Sequence, residues 1–322
     1  MLDGYGRSID YVRLSITDKC QLRCSYCIPD DSLDEELKEA VLSFEDMLEI
    51  IKVLVELGVK KVKITGGEPL LYPGILDLIR DIKSIDQIEQ VTLTTNGVSL
   101  ARMVDDLVKA GIDGINISLD TLDKLKYKLI TKRDGLDTVL IGLKKAVDLG
   151  INVKVNCVLI SELNKDEIVE IAKLAQNDCI QIRFIEYMPM LSDVGYTRVP
   201  LSWVKEQLSI HFGELVTVNK KLGNGPASYY KIDGFVGHVG FISAVSNHFC
   251  KTCNRLRVTS DGFLKTCLYY HSDVNLKEVV DDKDALRRKV IEAVNDKPKT
   301  HQFNYDKLFA GKERRNMARI GG

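Results

Sequence analysis

Along the first two thirds of the chain, short runs of β-branched and apolar residues alternate with longer stretches whose apolar positions recur at helical spacing. The runs predict strands over 12–16, 60–65, 90–95, 114–119, 151–159 and 180–186. Between the first two, residues 43–57 open on Ser43 with Asp46 three positions on, a capping-box start, and carry Leu48, Ile51, Leu54 and Val55 at helical spacing. Three helical stretches end on a glycine followed by a β-branched residue, at Gly58-Val59, Gly111-Ile112 and Gly150-Ile151. Glycine tolerates the left-handed turn that ends a helix, so each marks a passage from helix to strand. Repeated strand–helix units imply a parallel sheet, doubly wound or curled toward a barrel. About six units precede residue 200, too few for an eight-stranded closed barrel, and an open partial barrel needs something to cover its side.

From Leu201 onward the rhythm changes. A helix over 201–211 gives way to short strands at 214–218, 228–232, 236–242, 255–259 and 263–267, separated by turns such as Gly223-Asn224-Gly225 and Ser260-Asp261-Gly262. Residues 281–295 read as a helix, and a polar, basic tail ends in Gly321-Gly322. The expected organisation is an α/β region over 1–210 and a smaller β-rich region over 211–322.

Composition narrows the function classes. With 45% hydrophobic and 28% charged residues, the chain has the make-up of a folded globular protein. Its 45 basic and 46 acidic side chains nearly cancel, so neither nucleic acid nor a membrane surface is expected as a partner, and any anion site must be built locally. No apolar run approaches the roughly 18 residues of a membrane span. Met1-Leu2-Asp3-Gly4 lacks the layout of a signal peptide, so a cytoplasmic protein is expected. Disulfides suit small secreted chains, and the eight cysteines here fall instead into two trios and two singletons, Cys157 and Cys179.

Cys20, Cys24 and Cys27 follow the first strand, so three thiols sit on a loop at its C-terminal end, where α/β folds build their sites. Thiolates select zinc or iron–sulfur clusters; structural zinc takes four ligands, whereas three thiolates leave one iron of a 4Fe–4S cube open. Free structural cysteines or zinc ligands are the alternative. Cys250, Cys253 and Cys267 again offer three ligands, and the Cys-x-x-Cys pair by itself fits zinc equally well, with His248 or His271 as a fourth ligand. Near this trio, Arg255 and Arg257 alternate on one predicted strand and share a face, as do Lys61 and Lys63 on another. The chain has neither a phosphate-binding P-loop nor a dinucleotide glycine fingerprint, so an anion site would rest on such side chains. A charged, solvated edge strand is the competing reading.

The Cys20-x-x-x-Cys24-x-x-Cys27 spacing, with Tyr26 before the third cysteine, resembles that of the radical S-adenosylmethionine (SAM) enzymes. Thr65-Gly66-Gly67-Glu68-Pro69, Thr94-Thr95-Asn96-Gly97 and Ser118-Leu119-Asp120, all at predicted strand ends, match later motifs of that superfamily. The run from Gly240 to Leu268 closely resembles the C-terminal signature of the GTP 3′,8-cyclases, the radical SAM family that opens molybdenum cofactor biosynthesis. This likeness extends from Tyr11-Val12-Arg13-Leu14-Ser15 to the terminal Ile320-Gly321-Gly322.

The resemblance implies a partial (β/α)6 TIM-like barrel with a smaller β-rich C-terminal domain. It also implies a lyase that uses SAM and two 4Fe–4S clusters to take hydrogen from ribose C3′ of GTP and join C3′ to guanine C8. Carried over by position, Cys20, Cys24 and Cys27 hold the first cluster and Cys250, Cys253 and Cys267 the second, whose open iron anchors guanine. Tyr26, Gly67, Ser118 and Met188 match SAM contacts; Arg13, Lys63, Thr94, Lys154, Arg255 and Arg257 match GTP contacts, with Arg183 on the adjacent strand. Lys63 stands where relatives commonly carry arginine, and Ala244 where proline is usual. The family also implies a homodimer, a flavodoxin- or ferredoxin-type reductant and a downstream cyclic pyranopterin synthase. Gly321 and Gly322 are expected to thread the terminal carboxylate toward the substrate, with Arg13 and Arg319 as neighbours. The rivals are a peptide-modifying radical SAM enzyme and a non-catalytic zinc-ribbon protein.

Overall fold

The structure is a computed structural model that describes residues 1–28, 41–189, 195–220, 222–271, 274–301, 313 and 315–322. All six early strands form: β1 (Tyr11–Ser15), β2 (Lys61–Thr65), β3 (Gln90–Thr95), β4 (Gly114–Ser118), β5 (Val153–Leu159) and β6 (Ile180–Glu186). Each pairs with the next in parallel. The crossovers carry helices α1 (Phe44–Glu56), α2 (Ile75–Lys83), α3 (Leu100–Lys109), α4 (Lys124–Thr131), α5 (Leu136–Asp148) and α6 (Ile168–Asn177). Gly58, Gly111 and Gly150 adopt φ of +101°, +92° and +73°, the left-handed geometry expected where the chain leaves a helix for a strand.

Helix α7 (Leu201–Phe212) leads into β7 (Leu215–Val218), β8 (Ser228–Ile232), β9 (His238–Ile242), β10 (Arg255–Val258) and β11 (Leu264–Lys265). These later strands extend both edges of the early sheet, giving the order β11-β10-β1-β2-β3-β4-β5-β6-β9-β8-β7. β10 runs parallel to β1 and β9 parallel to β6, while β11, β8 and β7 are antiparallel. The C-terminal region therefore continues the partial barrel rather than forming a second layer. Helix α8 (Lys283–Asn295) packs on α1, and α9 (Met317–Ile320) returns to β1. Residues 302–312 and 314 of the expected tail lie outside the described residues.

The strands alternate, and the two faces differ in kind. Outward residues such as Leu14, Ile64, Leu93, Ile117, Val155 and Phe184 are fully buried under the helices, where Ile50, Leu78, Val104, Leu143 and Ile171 meet them. Inward residues of the same strands, among them Arg13, Lys63, Thr94, Asn116, Lys154 and Arg183, are polar and face a cavity. A closed barrel fills its interior with apolar layers; this one places its apolar core outside the sheet and leaves the interior for a ligand.

Helix α1 shows how local sequence fixes these elements. The Ser43 hydroxyl accepts from the Asp46 amide at 3.0 Å and the Asp46 carboxylate accepts from the Ser43 amide at 3.1 Å, while Met47, Ile50, Ile51 and Leu54 are buried. Ser43→Ala should cost about 1 kcal/mol of stability, read as a lower urea midpoint at unchanged slope. An unaltered midpoint would show that tertiary packing alone holds this helix end.

Candidate active site

One cavity of about 360 Å³ runs along the inner face of the barrel, and both cysteine trios open onto it. The trios lie at opposite ends. Cys20, Cys24 and Cys27 follow the C-terminal end of β1, whereas Cys253 precedes Arg255, which is in register with Tyr11 at the start of β1. The segment 243–254 passes from the C-terminal end of β9 to the N-terminal start of β10, and Ala244, Phe249, Cys250 and Cys253 from it line the cavity. This crossover covers the open side of the barrel.

At the first end, the loop after β1 rests on the loop after β2. The Gly67 amide donates to the Thr17 carbonyl at 2.7 Å and the Glu68 amide to the Lys19 carbonyl at 2.8 Å. A Cβ on Gly67 would come within 2.6 Å of the Asp18 carbonyl, so only glycine allows this approach. Fully buried Glu68 accepts from Thr95 Oγ1 and the Asn96 amide, both at 2.7 Å, tying the ends of β2 and β3 together. Burial lifts its carboxyl to about 7 in spite of these bonds. Tyr26 donates to Asp120 at 2.6 Å, and burial lifts Asp120 to about 6. Burial first, then Cys20 and Asp120, push the Cys27 thiol up to about 12. Ser118 and Met188 line the same end.

The middle of the cavity is cationic. Arg257, Arg13 and Lys63 stand in one register row across β10, β1 and β2, and Lys154 and Arg183 face them from β5 and β6. Burial depresses Lys63 strongly, and Arg13, Arg183 and Lys154 depress it further. Arg257 is lowered by burial and then by Arg13 and Arg255, and Lys154 is lowered to about 8 by burial and Arg183. Buried Thr92 Oγ1, Thr94 Oγ1, Asn156 Oδ1, Arg13 Nε and Arg183 Nε have no hydrogen-bond partner, and all five residues line this space. Buried polar atoms are normally satisfied, so this wall is complete only with a polar ligand against it. Lys154 donates to the Leu222 carbonyl and Asn224 to Gln90 Oε1, which draws residues 222–226 across the cavity. Lys61 departs from expectation: it does not line the cavity but pairs with Asp10 at 2.7 Å.

At the second end, burial raises Cys253, but Arg255 and Lys297 outweigh it and hold the thiol at about 7. Buried Lys297 braces the trio, donating to the Arg255 carbonyl at 3.0 Å and to the Thr266 carbonyl next to Cys267. Arg255 lies over the Phe249 ring at 4.5 Å, and Arg7 donates to the Cys250 carbonyl at 2.9 Å. Of the two histidines considered as a fourth ligand, His248 lies beside Cys250, whereas His271 lies 3.4 Å from the Glu313 carboxylate.

The C-terminus enters this site. Arg13 donates to the Gly322 carbonyl and Arg257 to the Gly321 carbonyl. Gly321 has φ +76°, and a Cβ there would collide with Thr65 Oγ1. Upstream, Glu313 is fully enclosed with Lys265 and with Arg315, whose Nε lies at 3.0 Å; these cations overcome burial and hold its carboxyl at about 2. Cys157 is fully buried and Cys179 exposed, both away from the cavity. The roles of Lys297, Lys265 and Glu313 escape sequence reasoning because nothing distinguishes them from other charges in polar stretches. Glu68 and Asp120 fall inside recognised motifs, which was the available signal.

Parallel strands curled around a polar cavity, with a thiol trio after the first strand, define a radical SAM protein. Residues 14–175 match the family model of the radical SAM superfamily, and residues 180–303 match that of molybdenum cofactor synthesis C. The fold is similar to that of Streptococcus suis SuiB bound to S-adenosylmethionine, with a TM-score of 0.58 at 17% identity over 81% of this chain and 60% of that one. Two curated relatives match over the full length of both chains: a GTP 3′,8-cyclase of Petrotoga mobilis at 42% identity and one of Clostridium perfringens at 40%. The chain belongs to the GTP 3′,8-cyclase family of radical SAM enzymes, and its cofactors include SAM and an iron–sulfur cluster. No helix among the described residues is long and apolar enough to cross a membrane.

Gly321→Ala should undock the tail, since it imposes about 1–3 kcal/mol of backbone strain besides the collision. The Ser260 amide, which donates to the Arg319 carbonyl at 3.2 Å, reports it. Its hydrogen exchange should accelerate roughly tenfold. An unchanged rate would show that the tail tolerates a side chain there.

Proposed function

We propose that this chain converts GTP to 3′,8-cyclo-7,8-dihydro-GTP, the opening step of molybdenum cofactor biosynthesis, with GTP lying lengthwise in the cavity. The observation that carries this reading is the order of groups along one wall: a thiol trio, a row of buried cations, and a second thiol trio. Three thiols without a disulfide are the donor set for a cube with one open iron, and each end offers one. Cys20, Cys24 and Cys27 hold a first 4Fe–4S cluster, with Tyr26, Gly67, Ser118 and Met188 around SAM. Cys250, Cys253 and Cys267 hold a second, toward which the guanine points. When bound, the reduced first cluster and SAM supply a 5′-deoxyadenosyl radical, the agent that removes hydrogen from ribose C3′.

The chain's own residues orient the substrate and exclude water. Arg13, Lys63, Lys154, Arg183, Arg255 and Arg257 grip the triphosphate, and Thr94 supplies a hydroxyl without another partner. Burial, and then neighbouring cations, disfavour the charges of Lys63, Lys154 and Arg257, and a polyanion beside them offsets both, so the site gains charge as it binds. Lysine at position 63 keeps the charge but loses the two-pronged geometry of arginine. With phosphate and base fixed at two ends, C3′ and C8 are held for ring closure. The Gly321-Gly322 tail closes the cavity beside Arg13 and Arg257.

The same reading assigns 1–210 to the radical SAM barrel and 211–322 to the auxiliary-cluster and substrate region. It places the enzyme in the cytoplasm as a homodimer, reduced by a flavodoxin- or ferredoxin-type protein and delivering its product to a cyclic pyranopterin synthase. The row of buried cations along the cavity wall favours a triphosphate over a peptide.

Anaerobic incubation with SAM, GTP and dithionite tests the reaction. Reconstituted protein should bind about eight irons per chain and form both 5′-deoxyadenosine and the cyclised nucleotide. Cys24→Ala should abolish both products, whereas Cys253→Ala should retain some SAM cleavage and yield no cyclised nucleotide. Cyclisation by Cys253→Ala would overturn the second-cluster assignment.

GTP binding should also depend on pH. Lys154 sits near 8 in the free protein, below its ordinary 10.5, because burial and Arg183 disfavour its charge. A phosphate beside it restores that charge, so above this pH binding takes up a proton. Affinity should fall by up to about tenfold per pH unit above 8 for each lysine that recharges, and Lys154→Met should make the fall shallower, leaving the part due to Lys63. A slope unchanged by Lys154→Met would exclude the lysine from the phosphate site.

A further inference from the structure

Cys250 has two histidine neighbours that the second trio does not use. The ligand atoms of His248, Cys250 and His301 all lie within 4.8 Å of one another, the group of this kind among the described residues. The His248 and His301 rings meet edge to face at 4.9 Å. His301 Nε2 lies 2.9 Å from the Ala244 carbonyl, an arrangement that puts the proton on Nε2 and the lone pair on Nδ1. A ring nitrogen donating to a backbone carbonyl while the other carries the lone pair is the usual setting of a metal-bound histidine. The His301 backbone N–H is also directed to the Cys250 thiol, so the two residues are held together independently of any ion.

We propose that His248, Cys250 and His301 form a mononuclear divalent-ion site of the zinc type, overlapping the second trio through Cys250. A tetrahedral ion with nitrogen and sulfur ligands sets ligand atoms roughly 3.5 Å apart, so the present spacing needs at most about an ångström of closure. His248 is exposed and can supply it by side-chain rotation. Binding releases the Cys250 thiol proton to solvent and leaves a fourth position for water, since Cys250 and His301 both line the cavity. Cys250 cannot serve an ion here and a three-cysteine cluster at once. A zinc-loaded chain is therefore blocked from completing the second trio, and the ion occupies the end of the cavity assigned to guanine. The exclusion rests on the cluster reading above; the ion site itself does not.

The test uses Co²⁺ as a spectroscopic stand-in, added anaerobically to the full chain before cluster reconstitution. The chain carries Cys20→Ala, Cys24→Ala and Cys27→Ala so that the first trio cannot compete. One Co²⁺ should bind with a thiolate-to-cobalt charge-transfer band and tetrahedral d–d bands. Cys250→Ala should abolish the charge-transfer band, and His248→Ala and His301→Ala should each weaken binding by about tenfold or more. Cys253→Ala and Cys267→Ala should leave it in place. Iron uptake by the histidine variants, at about four per chain, shows that they fold and reports the second cluster separately. Zinc added first should suppress that uptake. Failure to bind Co²⁺ would overturn the site, as would a band that survives His301→Ala but is lost in Cys253→Ala. Absence of iron uptake without zinc would overturn the cluster reading instead.

Discussion

The structure depends on a cluster of cations kept out of water on the inner face of one sheet. Arg13, Lys63, Lys154, Arg183 and Arg257 are drawn together by strand register, and burial and mutual repulsion work against their charge. Removing one charge from water costs several kcal/mol unless a counter-charge is supplied. Part of the compensation is internal: the Gly322 and Gly321 carbonyls accept from Arg13 and Arg257, and Lys63 and Lys154 are held below their usual basicity. The rest has to come from a ligand, and the unsatisfied hydroxyls and guanidinium nitrogens beside them say the same. An anionic substrate is thereby built into the energetics of the fold.

That requirement explains the architecture. Polar inward positions cannot close a barrel by packing, so the sheet stays open and gathers its apolar residues under the outer helices. The open edges are extended by β10 and β11 beside β1 and by β9, β8 and β7 beside β6. The connection from β9 to β10 must then cross the gap, and it brings Cys250 and Cys253 to the end of the cavity opposite Cys20, Cys24 and Cys27. The placement of the two thiol trios at opposite ends is thus a consequence of chain direction. Because β1 and β10 are parallel, the loop leaving β1 lies at one end of the cavity and the loop entering β10 at the other.

Much of this was legible in the sequence where side-chain periodicity carried it. β3 and β6 have the bounds that alternation predicts, and α1 starts at the capping box that Ser43 and Asp46 announce. β11 is shorter than the expected 263–267 because Phe263 bridges to Asn275 and the chain turns away before Cys267. The edge position of β10 could not be read, since its pairing with β1 across some 240 residues leaves no local trace. The same holds for Lys297, which looks like any tail lysine yet is buried between β10 and the Cys267 loop. Lys61 shares a face with Lys63, but Asp10 is within reach and captures it. Glu68 and Asp120 carry no predicted role as single residues, although their motifs mark the loops they fasten.

The central claim is that the cavity presents the ribose of a phosphate-held GTP to the first thiol trio. The most direct measurement is the mass of 5′-deoxyadenosine formed from SAM and GTP deuterated at ribose C3′. Transfer of deuterium to 5′-deoxyadenosine, with deuterium lost from the nucleotide product, is the result this account predicts. Unlabelled 5′-deoxyadenosine alongside a product that keeps its C3′ deuterium would contradict it.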